Sequence, residues 1–258
     1  MTGDAPKTDM PERDLVAIAL RDPAGGKTRL RDTLSGRQTE ALSWALFDRL
    51  IVELSAARPA CVDLAVISGQ EVVQERARQA GLAVISDATT GLSDAAEAAR
   101  DWATERRYRS MTILPSDLAD PDQRDLSLLM RVPCPANQVL LVPSQDLGTN
   151  GLRMTLPGGR FGFRYGPRSY TKHLGTAEEA GLTPITLQLP SLRRDIDRPE
   201  DLTDLPLPIR AALDAAAEQD TGQNTGQQED TAEPHPDTTA DPSRKGPHGS
   251  DRAYPKSA

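Results

Sequence analysis

The feature that most constrains this chain is the alternation of short apolar runs with longer helical patterns. LVAIAL (15–20), DLAVIS (63–68), LAVIS (82–86), MTILP (111–115) and QVLLVP (138–143) have strand length, are rich in β-branched residues and are bounded by turn formers. Runs this continuous suit strands buried on both faces, as in parallel sheets. Between them Leu42, Ala45, Leu46, Leu50 and Leu54 recur at helical spacing, as do Val73, Ala77 and Ala80, and then Ala95, Ala98, Ala99 and Trp102. This pattern predicts an α/β domain with a mostly parallel sheet and helices on both faces. Ligands in such sheets bind beyond the carboxyl ends of the strands, so the loop after each strand is where chemistry is sought.

Charge and composition mark off the ends. From Ala211 onward nine acidic residues face four basic ones, which accounts for five of the net −8. That stretch is rich in Gln, Thr, Asp, Pro and Gly and has too little apolar surface to offset the entropy of ordering it. The expected organisation is a disordered N-terminus over 1–13, one folded domain over 14–213 and a disordered acidic tail over 214–258. No run of 18 apolar residues is present, which argues against a membrane span. The polar first residues lack a signal-peptide core. Cys61 and Cys134 stand apart with no CxxC, against a disulfide framework or a cysteine zinc site, and a cytoplasmic location is the expectation. An isoelectric point near 5.0 and 3% aromatic residues argue against nucleic acid as the main partner. His173 is the one histidine outside the tail, with His235 and His248 inside it. Ser-His-Asp catalysis is therefore disfavoured, and the chemistry falls to carboxylates, Lys, Arg and backbone amides.

Five loops carry candidates. The first strand runs into RDPAGGKTRL, where a Walker A loop fails because Arg21 stands at a glycine position. A looser phosphate loop survives, with the amides of Gly25 and Gly26 and the cations Lys27 and Arg29; a flexible turn with solvated bases is the competing reading. In TILPSDLADPD, Asp117 follows a buried strand, where a carboxylate can hold a hard divalent cation. Asp120 and Asp122 are equal candidates for a turn or helix-cap role. In SLRRDIDRPEDL, Asp195 and Asp197 face one side of an extended segment, and a Mg²⁺ shared with Asp117 would relieve their repulsion. Pro199 fits a first helical turn, with Glu200 and Asp201 as partners of the helix dipole. Thr149 lies in a glycine-rich loop, Gly166 permits close backbone approach, and Ser169 reads as the N-cap of a helix through His173, itself read as capping or packing. Gly91, Leu92 and Ser93 form a strand-to-helix turn suited to a base or ribose.

In this order and spacing, GGKTRL, GLSDAAEAA, ILPSDL, DLGTNGL, FRYGPRSYTKHL and DIDRPEDL resemble the CofC-type guanylyltransferases, called FbiD in actinobacteria, of coenzyme F-420 biosynthesis. The resemblance spans about residues 15–205. It implies a single-domain Rossmann-like nucleotidyltransferase that moves GMP from GTP to a phosphorylated three-carbon acid and releases diphosphate. The acceptors it implies are 2-phospho-L-lactate, phosphoenolpyruvate or 3-phospho-D-glycerate. By the same resemblance Asp117, Asp195 and Asp197 match the carboxylates that hold Mg²⁺, and Thr149, Gly166 and Ser169 match the acceptor site. Lys27 and Asp117 are the expected catalytic pair, with the chain a monomer or homodimer. Ser93 stands where the family often has Asn, and Ala119 where it has Pro. Two alternatives stay open: another nucleotidyltransferase, of molybdopterin or sugar-phosphate type, and a non-catalytic nucleotide-binding protein.

Overall fold

The computed structural model describes residues 13–226 apart from 88 and 90. Five strands fall on the five apolar runs: β1 (Asp14–Ala19), β2 (Val62–Ser68), β3 (Ala83–Ser86), β4 (Ser110–Pro115) and β5 (Gln138–Pro143). Two more, β6 (Thr149–Thr155) and β7 (Thr183–Thr186), complete one sheet in the order β3-β2-β1-β4-β6-β5-β7. β1 pairs parallel with β2 and β4, β2 with β3, and β5 with β7. The sheet is thus mostly parallel, with β6 reversed against both β4 and β5. Thr149, expected in a loop, instead opens β6.

The helices are α1 (Gly36–Ala57), α2 (Glu71–Gln79), α3 (Leu92–Glu105), α4 (Gln123–Arg131), α5 (Ser169–Glu179) and α6 (Leu207–Gly226). A capping box at Ser35 starts α1, whose stripe of Leu42, Leu46, Leu50 and Leu54 is fully buried. Each such leucine contributes about 1.5–3 kcal/mol relative to exposure, enough to fix which side of α1 faces inward. One face of the sheet is covered by α1, α2 and α4 through Phe47, Leu50, Val73, Leu126 and Leu129. The other face receives α3 and α5 through Ala95, Ala99, Ala103 and Ala177, small side chains that let the helices lie close to the strands.

A third cluster positions the site. Leu30 and Leu34, just after the first loop, pack with Leu42 and Leu46 of α1, with Ile196, and with Ile209 and Leu213 of α6. The first loop, the 195–197 segment and the last helix therefore share one small core. The last helix also passes the boundary expected at 213. Ala216 is buried, and Asp220 accepts a hydrogen bond from Ser35 Oγ and pairs with Arg37 at 3.2 Å, at the start of α1. The reason is amphipathic continuity, since AALDAAAEQD has good helix formers and small apolar residues to lay on α1. Residues 1–12 and 227–258, including most of the expected tail, lie outside the described residues. Among the described residues no helix is long and apolar enough to cross a membrane.

Candidate active site

A cavity of about 430 Å³ opens at the carboxyl ends of β1 and β4, walled by Gly25, Gly26, Lys27, Leu92 and Asp117 among others. Its floor is the first loop, which folds back on Asp22: Gly26 N donates to the Asp22 carbonyl at 2.8 Å, and Ala24 N to Asp22 Oδ1 at 3.0 Å. A Cβ on Gly26 would stand 2.7 Å from that backbone carbonyl oxygen, so the turn closes with glycine there, whereas one on Gly25 would meet only the Asp22 carboxylate, a side-chain end that can swing away. Lys27 then takes a left-handed conformation at φ 45°, a cost a non-glycine residue carries only where the surroundings enforce it. What enforces it is the side chain, only 8% exposed. Its Nζ donates to Asp117 Oδ2 at 3.0 Å and to the Ile196 carbonyl. The expected pair of Lys27 and Asp117 is brought together.

The 194–196 segment runs antiparallel to 117–119: Ile196 N donates to the Asp117 carbonyl at 3.0 Å and Ala119 N to the Arg194 carbonyl at 2.9 Å. Ile196 is buried in the third cluster, so Asp195 and Asp197 turn together to the other side, as period two requires. Asp195 accepts one bond, from Asn150 Nδ2 at 3.1 Å. Burial, then the neighbouring charge of Asp117, pushes its pKa up to about 6. Asp197 is taken by the Arg29 guanidinium. The three carboxylates are thus adjacent but not convergent. Among the described residues no three acidic, histidine or cysteine side chains gather closely enough to hold an ion, and Lys27 engages Asp117 while Arg29 engages Asp197. The donor set still fits a hard divalent cation: all oxygen, and strained by its own repulsion at Asp195. The neighbouring acids have structural work. Asp120 pairs with Arg49, Asp122 caps α4 through Asp125 N, and Asp201 accepts from the amides of Asp197 and Arg198.

The expected acceptor residues also meet. Gly166 adopts φ 116°, a region that favours glycine, and its carbonyl accepts from Ser169 N at 3.0 Å. Arg168, at φ 53°, is the residue flanking the helix, so Ser169 is the first residue of α5 rather than its N-cap. Ser169 Oγ donates to Thr149 Oγ1 at 3.1 Å. Asn150, next along β6 and therefore on the opposite face, holds Asp195 and the Leu192 carbonyl, so one strand joins both halves of the site. Gly91 caps α3 and Leu92 lines the cavity, but Ser93 does not face it. Its Oγ accepts from Tyr165 N at 2.9 Å, tying α3 to the segment before Gly166. Asn150 escaped the sequence reading, and His173, expected to cap or pack, is buried against Phe161 and Tyr165 while its hydrogen bonds to Thr149 and Arg164 went unread. No local spacing marks either, since both act across the sheet.

The family model "Guanylyl transferase CofC like" matches residues 15–209. The chain belongs to this family. A 3-phospho-D-glycerate guanylyltransferase of Colwellia psychrerythraea is 34% identical over 74% of the CofC-like chain and 90% of its own length. A phosphoenolpyruvate guanylyltransferase of a Roseiflexus species is 32% identical, covering 72% and 81%. A 2-phospho-L-lactate guanylyltransferase of Methanothermobacter thermautotrophicus is 31% identical, covering 69% and 78%. Among solved structures, a Desulfovibrio desulfuricans protein described as a nucleotide-diphospho-sugar transferase aligns with TM-score 0.58 at 15% identity, over 81% of this chain and 98% of that one. Glucosyl-3-phosphoglycerate synthase of Mycobacterium tuberculosis aligns with TM-score 0.50 at 13% identity, over 86% and 87%. These likenesses carry the fold alone, an α/β domain on one mostly parallel sheet.

Proposed function

We propose that this CofC-like chain transfers GMP from GTP to a phosphorylated three-carbon acid, releasing diphosphate, as a step toward coenzyme F-420. The observation that carries this reading is the first loop. Gly26, whose Cβ would strike the loop's own backbone, its neighbour Gly25, and a strained lysine with a buried side chain wall a cavity of about 430 Å³ against Asp117. Backbone amides and Lys27 would receive the phosphates, with Lys27 stabilising charge that develops as the diphosphate departs. Arg29, more than half exposed on a flexible stem, exchanges Asp197 for phosphate oxygen. Asp117, Asp195 and Asp197 would hold Mg²⁺, which when bound supplies neutralisation between two anions that otherwise repel. No protein nucleophile is required. A phosphate oxygen of the acid forms a bond to the α-phosphorus, the bond from that phosphorus to the β-bridging oxygen breaks, and diphosphate leaves in line. Thr149, Gly166 and Ser169 hold the acid. Ser93, tied to Tyr165, is removed from the guanine contacts, leaving Leu92 and backbone groups at that wall.

The test is product identity. Purified protein is given Mg²⁺, one of GTP, ATP or CTP, and each acid in turn, starting with 3-phospho-D-glycerate because of the 34% identity noted above. A guanylylated acid seen by mass spectrometry is expected with one acceptor. A nucleotidylated product from CTP or ATP in preference to GTP would remove the guanine assignment, and none at all would remove the transferase.

A further inference from the structure

His173 is completely buried, the one histidine among the described residues, and used by neither the nucleotide loop nor the carboxylates. Its ring centroid lies 4.9 Å from that of Tyr165, edge-to-face, and 5.8 Å from that of Phe161, tilted. Packing alone would be served by an apolar ring. Both ring nitrogens, however, are engaged. Arg164 N donates to Nε2 at 2.8 Å, so Nε2 carries no proton. Burial pushes the pKa of the ring down to about 4, with the charge of Lys172 a second cause, so the ring is neutral and its single proton sits on Nδ1. Nδ1–H therefore donates to Thr149 Oγ1 at 2.9 Å. Ser169 Oγ donates to the same oxygen at 3.1 Å. With both lone pairs of its hydroxyl occupied, Thr149 has only its own proton left to offer, and among the described residues that proton has no acceptor.

We propose that His173 is a positioning residue: it accepts the Arg164 amide, donates to Thr149, and so forces the Thr149 hydroxyl to present its proton to the carboxylate or phosphate of the bound acid. Without a fixed ring the Thr149 hydroxyl could turn its lone pairs toward an anion, a repulsive arrangement. The role rests on the reading of Thr149 and Ser169 as the acceptor site, and the experiment separates the two ideas.

Two substitutions divide the functions of the ring. His173→Asn places an amide N–H where Nδ1–H stands and abandons the Arg164 amide. His173→Gln places an oxygen where Nε2 stands and abandons Thr149. KM for the acid and KM for GTP are measured for both, with Thr149→Val and the double variant His173→Gln/Thr149→Val beside them. His173→Gln and Thr149→Val are each expected to raise KM for the acid about tenfold to a hundredfold, the scale of one hydrogen bond to a charged partner, with KM for GTP within about twofold. His173→Asn stays close to the parent, and the double variant is no worse than Thr149→Val. Equal losses in His173→Asn and His173→Gln, or parallel rises in both KM values, overturn the positioning role. If Thr149→Val leaves KM for the acid unchanged, the acceptor site itself is misplaced and the role falls with it. A second measurement works on the unaltered chain. In ¹⁵N-histidine-labelled protein the neutral Nδ1–H tautomer is expected for His173, and the Nε2–H tautomer overturns the proposal even if His173→Gln does not fold.

Discussion

Acid should destabilise this fold through His173 in a way that can be isolated from every other group. The perturbation is a change from pH 7 to pH 5. The ring has a pKa near 6.5 in the unfolded chain and about 4 when folded, because no water reaches it and no counter-charge replaces the lost hydration. Between those values the unfolded chain binds more protons than the folded one, so stability is fully present above pH 6.5 and falls as the pH is lowered toward 4. Linkage puts the loss between pH 7 and pH 5 at about 2 kcal/mol, approaching about 3 kcal/mol once the folded ring is itself protonated. Asp195 works in the opposite sense, since its raised pKa lets the folded state hold a proton below about pH 6. That contribution is common to the parent and to His173→Gln and cancels in their comparison. The assay is urea unfolding of both proteins at pH 7 and pH 5, with the quantity of interest the difference between the two pH-induced changes. A difference of about 2 kcal/mol is expected, with the parent losing more. Equal losses in the two proteins would show that the ring is solvated or already charged, which would refute the burial and tautomer reasoning together.

Gly26→Ala should weaken GTP binding at least tenfold while the domain stays folded, because the added Cβ meets the Asp22 carbonyl at 2.7 Å in a surface loop; isothermal titration with GTP checks it. Asp14→Ala should lower the unfolding free energy by about 3 kcal/mol or more, since the carboxylate is buried between Arg109 at 2.5 Å, Ser110 at 2.8 Å and the interior Arg153 at 3.4 Å, and its removal strands a buried charge. A loss below about 1 kcal/mol in urea would mean that the carbonyls of Leu129, Met130 and Val132 satisfy Arg153 unaided. A chain ending at Leu213 should lose about 1–2 kcal/mol, because Ala216 and the Asp220 contacts to Ser35 and Arg37 go with it. An unchanged thermal midpoint would restore the domain boundary at 213.

Five of the seven strands were legible because buried parallel strands need continuous apolar runs. β6 was not, since TNGLRMT carries Asn150, Gly151 and Arg153 into the interior. Arg153 is tolerated there because five partners surround its guanidinium: three carbonyls of the 129–132 segment, Ser110 and Asp14. Gly151 lies where a Cβ would stand 2.9 Å from Val142. β7 is a four-residue edge strand with Pro184 in it, too short to give a period. Within the site, Lys27 and Asp117 were legible as residues at strand ends, and Asp195 with Asp197 as an alternating pair. The Arg29–Asp197 contact was not, since it joins residues 168 apart in sequence. Ser93 was expected at the nucleotide from its helix-start position, and what the sequence hides is the bond its Oγ accepts from Tyr165 N.

The most direct test is diphosphate release from GTP and Mg²⁺ with each of the three acids, run on the parent and on Asp117→Asn. Release that requires one acid, and that Asp117→Asn abolishes while its circular dichroism spectrum is unchanged, is the expected result. Release by Asp117→Asn at the parent rate would contradict the claim that Lys27 and the carboxylates around Asp117 form the transfer centre.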